Sequence, residues 1–345
     1  MRKGFYNFFI SLFGILGVSS FNLYAQVSDF PSISYHKADS QALAFQGYPY
    51  SNLLELSNNL TAGLKTEVER FRAIYKWVCN NIENDYNLYA VNKRNRERYN
   101  DNPIELEKWN AEITQQVFKI LRKDNRTVCT GYAYLIKELA YFSGIECKII
   151  DGYGRTPVAN IGGKGISNHS WNAVRLRDKW YLCDATWSSG SIDETSKSFI
   201  KKYKDEYFLA DPSLFGRNHY PLDTSWLLLD NPISLQDFLN APLIYPGTYW
   251  SKIIPLNPNS FYLSVEKGGE VEFQFQSLDN TEIPFMVIQL TQSFNLVHQQ
   301  KTILRKVGDD ENSLTYRFKR KGVYALHFLI EGEYIATYEV RVGKG

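Results

Sequence analysis

Three residues of this chain could together open an amide carbonyl: Cys129 as nucleophile, His169 as proton shuttle and Asp184 as the acid that orients the imidazole. Cys129 stands in Arg126-Thr127-Val128-Cys129-Thr130-Gly131-Tyr132-Ala133, where a polar, basic stretch gives way to an apolar helical pattern. Leu135, Ile136, Leu139, Ala140 and Phe142 fall on one face, and Ser143-Gly144 stops the run. The cysteine therefore opens the first turn of a core helix. Unpaired amides and the positive end of the helix dipole lower a thiol pKa there, and Gly131 leaves room for a substrate backbone. Helix position alone does not decide the matter, because a cysteine in a buried helix also serves as a small hydrophobe.

A base and an acid have to be brought to that helix end. Asn168-His169-Ser170-Trp171-Asn172-Ala173-Val174 and Trp180-Tyr181-Leu182-Cys183-Asp184-Ala185-Thr186-Trp187 read as two short strands joined by the turn-prone Arg177-Asp178-Lys179. Side chains alternate along a strand. An even-numbered loop thus puts His169 and Asp184 on one sheet face, and an odd one without a bulge puts them on opposite faces. With residues 176 to 179 as the loop, Asp184 lies opposite Trp171 and diagonal to His169, roughly 7 to 8 Å away along the backbone. An imidazole and a carboxylate can bridge that gap.

These motifs resemble the transglutaminase-like superfamily of papain-type thiol enzymes. The matching pieces are Cys129-x-Gly131-Tyr132-Ala133, His169-Ser170-Trp171-Asn172-Ala173-Val174, and Trp180-Tyr181-Leu182-x-Asp184-Ala185-Thr186-Trp187. Beyond them, Tyr207-Phe208-Leu209, Asp211-Pro212, His219-Tyr220-Pro221-Leu222-Asp223 and Trp226-Leu227-Leu228-Leu229 are similar to the extension of the kyphoscoliosis peptidase subfamily. The resemblance implies an acyl-enzyme chemistry shared by proteases, amidases and protein cross-linkers, in a superfamily that also holds inactive members. It places Asp85-Tyr86-Asn87 where a side chain helps polarise the substrate carbonyl, although Tyr86 reads as readily as an ordinary half-buried tyrosine. The basic stretch around Asn92 to Trp109 departs from the pattern. It reads as a solvated helix face or as a patch that steers an acidic peptide or cell-wall polymer.

At 345 residues and 44% hydrophobic content the chain is long enough for two domains and a substantial core. Residues 1 to 25 have a basic start, an apolar run shorter than a membrane span and a small residue before Gln26, as a secretory signal peptide cleaved after Ala25 would. Export to the periplasm, the medium or the cell surface follows from it. The formal charge of +2 includes Arg2 and Lys3, so the processed chain is formally neutral, which argues against nucleic acid as a partner. The four cysteines form no C-x-x-C pair, and His36, His219, His298 and His327 are scattered, so no metal or organic cofactor is expected. Cys147 and Cys183 could be bridged or simply buried, and a chain of this size does not need the bridge.

In chain order, residues 26 to 49 read as an extended N-terminal arm. A helix follows, started by Thr66-Glu67-Val68-Glu69 and carrying Val68, Phe71, Ile74, Tyr75 and Val78 on one face. Strand Glu146 to Ile150 is expected to end in Asp151-Gly152-Tyr153-Gly154, with Gly162-Gly163-Lys164-Gly165 as a mobile loop lining the groove. His219 reads as a packing or hydrogen-bonding residue, and Asp211 as a turn former. From residue 255 short alternating strands take over. Val271, Phe273 and Phe275 interleave with Glu272, Gln274 and Gln276, and Glu331-Gly332 marks a hairpin.

The fold class expected is α+β: a transglutaminase-like (papain-type) cysteine enzyme fold over residues 50 to 254, then an all-β Ig-like sandwich over 255 to 345. The function expected is thiol-dependent acyl transfer on amide bonds through a Cys129 thioester, as a peptidase or amidase. Transglutaminase-type cross-linking and a catalytically idle binding module are the alternatives. The substrate would be a protein, peptide or cell-wall peptide, with the sandwich available for protein docking.

Overall fold

The computed structural model describes residues 27–193, 195–279, 282 and 285–343, so the signal peptide expected over residues 1 to 25 lies outside the described residues. Among those described, no helix is long and apolar enough to cross a membrane. Where an extended arm was expected, the chain instead forms α1 (His36–Ala44), with Ala38 and Ala42 fully buried. Its two alanines give too weak an apolar stripe to be read from sequence, and tertiary contacts hold it. Asp39 on α1 and Asp205 from a later loop both pair with the guanidinium of Arg72, which is 4% exposed. Arg72 belongs to α3 (Glu67–Asn81), reached through α2 (Leu53–Thr61). The expected start of α3 is a complete capping box: Thr66 accepts from the Glu69 amide while Glu69 reaches back to the Thr66 amide.

After β1 (Glu83–Asn84) the basic stretch forms a helical hairpin, α4 (Tyr86–Tyr99) and α5 (Pro103–Asp124). Trp109 Nε1 donates to Asn92 Oδ1 across it at 3.0 Å, and Leu88, Ile113 and Val117 close a small core beneath. Then β2 (Arg126–Thr127), parallel to β1, leads directly into α6 (Cys129–Phe142). Helix α6 is the central packing element. It contacts α2, α3, β3 (Cys147–Gly154) and β4 (His169–Leu176). The glycine at position 131 serves this packing: a Cβ there would overlap the Thr127 side chain, so Gly131 admits β2 rather than a substrate backbone.

Strand β4 turns into β5 (Lys179–Cys183) through Arg177 and Asp178, both at positive φ (48° and 63°), with Leu176 opposite Lys179. The turn is one pair tighter than the loop read from sequence, but the parity is the same. Asn172 pairs with Cys183, so Asp184 follows at the level of Trp171 as expected. Asp184 caps α7 (Ala185–Ser189), which precedes the hairpin β6 (Gly190–Asp193) and β7 (Ser198–Lys201). Next come α8 (Pro212–Phe215), capped by Asp211 in its expected turn-forming role, and β8 (His219–Pro221). The sheet runs β5-β4-β3-β8. Cys147 on β3 and Cys183 on β5 flank β4, about 10 Å apart at two strand spacings and beyond disulfide reach. All four cysteines are free, as favoured from chain size.

Strand β3 runs on to Gly154, past the expected end at Ile150, because its two glycines allow close approach. A Cβ on Gly154 would sit 2.9 Å from the His169 Cβ, and one on Gly152 would overlap the Tyr220 carbonyl. The loop of residues 155 to 168, expected to be mobile, is fastened at several points. The Asn160 amide brackets Gly154 O, Ile166 O and the Ile166 N–H, and Gly162 N–H donates to Leu239 O. The buried Arg155 guanidinium ties the loop to the Leu239, Ala241 and Pro242 carbonyls.

The chain continues through α9 (Leu235–Asn240), β9 (Leu243–Ile244) and α10 (Pro246–Ser251) into the sandwich. Its strands are β10 (Ile253–Asn257), β11 (Tyr262–Glu266), β12 (Glu270–Ser277), β13 (Met286–Gln292), β14 (Asn295–Thr302), β15 (Arg305–Lys306), β16 (Glu311–Arg317), β17 (Gly322–Ile330) and β18 (Glu333–Gly343). One sheet is ordered β10-β12-β16-β15, the other β11-β18-β17-β13-β14, with β9 also on β18. Phe273 and Phe275 are buried in the alternation expected of them, facing Phe328 and Tyr338 of the other sheet. Glu331-Gly332 makes the expected hairpin turn, at φ 49° and 87°.

Candidate active site

The two faces of β4 divide the work of the site. Asn172 turns toward α6 and donates to Ala133 O (3.0 Å) and Lys148 O (3.2 Å), locking the cysteine helix onto the sheet. His169 and Trp171 occupy the opposite face, beside Phe215 and His219. Cys129 reaches His169 from the end of α6: it occupies the first helical position, where its thiol comes within the influence of the imidazole and the Ser170 N–H. All three residues singled out in the sequence therefore meet. Cys129 is half-buried and His169 is 7% exposed.

Asp184 is fully buried and its acceptor sites are filled. Oδ1 accepts from the Thr186 and Trp187 amides (2.8 and 3.2 Å), the capping of α7 that fixes the carboxylate plane. Oδ2 lies 2.7 Å from His169 Nε2 and 3.0 Å from His219 Nε2. With His169 Nε2 engaged by Asp184, Nδ1 is the nitrogen left for the thiol. Trp187 lies along the His169 ring (centroids 5.2 Å, 30°), covering the imidazole–carboxylate bond.

The charges follow from this arrangement. Burial pushes the Cys129 thiol up, but the His169 hydrogen bond and charge, then Arg96 and the Ser170 N–H, outweigh it and hold the thiol below its ordinary value. Burial works against an imidazolium at His169, yet the Asp184 charge and hydrogen bond, with Cys129 behind them, hold it up to about 10. The Asp184 carboxyl, raised by burial, is brought well below the usual carboxylate range by His169 and then His219. These shifts all act in favour of a thiolate–imidazolium pair beside an ionised carboxylate. The Cys129 amide, at the first position of α6, has no intrahelical acceptor and is placed to meet charge on a substrate carbonyl oxygen.

Two contributors, Arg96 and His219, were not legible as such. Arg96 sits in the basic stretch, where no periodicity separates it from Arg94 and Arg98. Only the fold brings it to Ser167 O, just ahead of His169, where its charge reaches Cys129. Arg96→Ala is expected to raise the apparent thiol pKa of Cys129 by less than about one unit and slow its alkylation at pH 6 by about three-fold, read by mass spectrometry of the labelled cysteine. Tyr86 starts α4 half-buried, with its ring against Tyr89.

Residues 54–185, which carry all three residues, match the family model described as Transglutaminase-like superfamily. Residues 54–185 form a transglutaminase-like domain. The chain is 33% identical over 204 residues to a mouse (Mus musculus) protein named Kyphoscoliosis peptidase, covering 59% of the chain and 28% of the relative. Its human (Homo sapiens) counterpart of the same name is 33% identical over 192 residues, covering 55% of the chain and 26% of that protein. Hillarin of Drosophila melanogaster is 25% identical over 240 residues, covering 66% of the chain and 26% of the relative. The chain thus spans little more than a quarter of these curated relatives, and the similarity supports the subfamily as well as the superfamily.

Proposed function

We propose that this protein breaks amide bonds in protein or peptide substrates by thiol acyl transfer, with hydrolysis as the outcome. Cys129 thiolate adds to the carbonyl carbon, His169 passes its proton to the departing amine, and a thioester to Cys129 remains. Water, deprotonated by His169, then releases the acid and restores the thiol. Asp184 holds the imidazole with Nδ1 toward sulfur throughout. The observation that carries this reading is the fully buried Asp184, held by two backbone amides and 2.7 Å from the imidazole that acts on the Cys129 thiol. An idle scaffold has no need to bury an ionised carboxylate on a histidine and aim both at a thiol. The mouse and human relatives are themselves named as peptidases. That the substrate is an exported protein or a cell-wall peptide is part of the proposal and rests on the sequence of residues 1 to 25.

The test is a partition assay: unfolded protein and mixed peptides with the enzyme or Cys129→Ala, with and without a labelled primary amine. New peptide termini that need Cys129 and outnumber amine adducts are expected. Amine incorporation exceeding cleavage would turn the reading to cross-linking. Neither product, with an unreactive Cys129, would turn it to the binding module.

A further inference from the structure

Asp184 Oδ2 carries a second imidazole that the acyl-transfer reading leaves without a task. His219 is fully buried on β8, its ring stacked on Phe215 (centroids 3.9 Å, 14°) and 4.3 Å from Trp187. The ionisable groups facing it are Asp184, His169, Tyr207 and Tyr249. The nearest donor atoms of His169, Asp184 and His219 lie within 4.8 Å of one another, but the 2.7 and 3.0 Å separations to Oδ2 are hydrogen-bond lengths. Ligands around a tetrahedral zinc would stand about 3.4 Å apart.

We propose that His219 is a positioning residue for the thiol reaction, a neutral imidazole that donates Nε2–H to Asp184 Oδ2 and so fixes the carboxylate that orients His169. The inference rests on the acyl-transfer reading above. The hydrogen-bond inventory leads to it. Both imidazoles must donate to Oδ2, since an ionised carboxylate only accepts. A neutral His219 with its proton on Nε2 needs a donor at Nδ1, and the Asn218 amide stands there at 2.7 Å. In the structure Oδ1 of that amide faces Nδ1 and accepts from the Tyr249 hydroxyl at 2.8 Å; turned over, its NH2 would donate to both, and the Tyr249 proton would go to Leu214 O at 3.3 Å. With the amide so turned, His219 donates to Asp184 and accepts from Asn218, with no charge beyond the Asp184–His169 pair. Burial supports the neutral form, outweighing Asp184 and pulling His219 down to about 4. Tyr249 lies on α10, which packs on β18, so the chain of hydrogen bonds runs from the thiol to the seam with the sandwich.

The role separates from simple packing by what replaces the ring. His219→Phe fills the space without a donor, whereas His219→Gln puts an amide N–H near the Nε2 position. In His219→Phe, turnover is expected to fall about 10- to 100-fold with KM within two-fold, and the acid limb of Cys129 alkylation to move to higher pH. His219→Gln is expected to recover most of both. Imidazole 15N spectra of the native protein are expected to show His219 as the neutral Nε2–H tautomer from pH 5 to 9. Equal behaviour of the Phe and Gln variants, an unmoved alkylation limb, or a His219 that titrates in that range or carries its proton on Nδ1 would overturn the proposal. The alkylation and spectroscopic readouts need no turnover, so they judge His219 separately. An ordinary thiol profile for Cys129 in the native protein would instead count against the acyl-transfer reading itself.

Discussion

Iodoacetamide is expected to label Cys129 about 100-fold faster at pH 6 in the native protein than in His169→Ala. An ordinary thiol with a pKa of about 8.5 is roughly 0.3% thiolate at that pH, so an ion-paired cysteine holds about 300 times more nucleophile, partly offset because a less basic thiolate attacks more slowly. The shifts give the window and its sign. The acid limb lies where the Cys129 thiol, held below its ordinary value by His169, takes up a proton. The imidazolium persists until the pH approaches the His169 value of about 10, so the pair is expected to survive from below neutrality into the alkaline range. In His169→Ala the hydrogen bond and the opposite charge are gone while burial remains, and the limb should rise to or above that of a free thiol. The buried Cys79, Cys147 and Cys183, whose thiols burial pushes up, serve as internal controls that stay unlabelled until the protein unfolds. A native profile that superimposes on that of His169→Ala would end the thiolate–imidazolium account.

Asp184→Asn is expected to cost about 10³-fold or more in turnover with the fold retained, on the scale seen when an orienting aspartate is made an amide in other triads. An amide at this position has one acceptor where the carboxylate has two. If its oxygen takes the Thr186 and Trp187 amides, its NH2 faces two imidazole nitrogens that must also donate, and His169 gives up the proton on Nε2. The neutral ring then carries its proton on Nδ1, pointing at sulfur, and cannot take the proton of Cys129. If the amide turns over, its NH2 opposes the two backbone N–H groups and the cap of α7 is lost. The expected signature is a kcat loss with little change in KM, an alkylation limb near that of His169→Ala, and an unchanged far-ultraviolet circular dichroism spectrum. Retention of more than a tenth of native turnover would show that Asp184 is not the orienting group.

Local chemistry was enough for much of this. The apolar stripe behind Cys129 dictated a core helix beginning at the thiol, because one-sided periodicity specifies a buried helix face wherever the helix packs. The parity of the β4–β5 hairpin put His169 and Asp184 on one face, because alternation along a strand is a rule of backbone geometry, even though the turn proved tighter than read. Thr66 and Glu69 announced the start of α3 through a hydrogen-bond exchange confined to neighbouring residues.

What the sequence left open depends on residues far apart in the chain. Helix α1 has little intrinsic signal and is held by the pairing of Asp39 with Arg72, thirty-three positions away. Gly131 looks like space for a ligand until Thr127 is seen filling it, and the glycine-rich loop looks mobile until Asn160, Arg155 and Leu239 are seen holding it. His219 stands thirty-five residues beyond Asp184, with no pattern to link them. The sequence by itself picked out the proposed nucleophile, base and acid and the local elements that carry them, since helix ends and strand faces are set by near neighbours. Only the tertiary structure decided that a second imidazole and a distant arginine close around that site, because burial and the pairing of polar groups are properties of the packed chain.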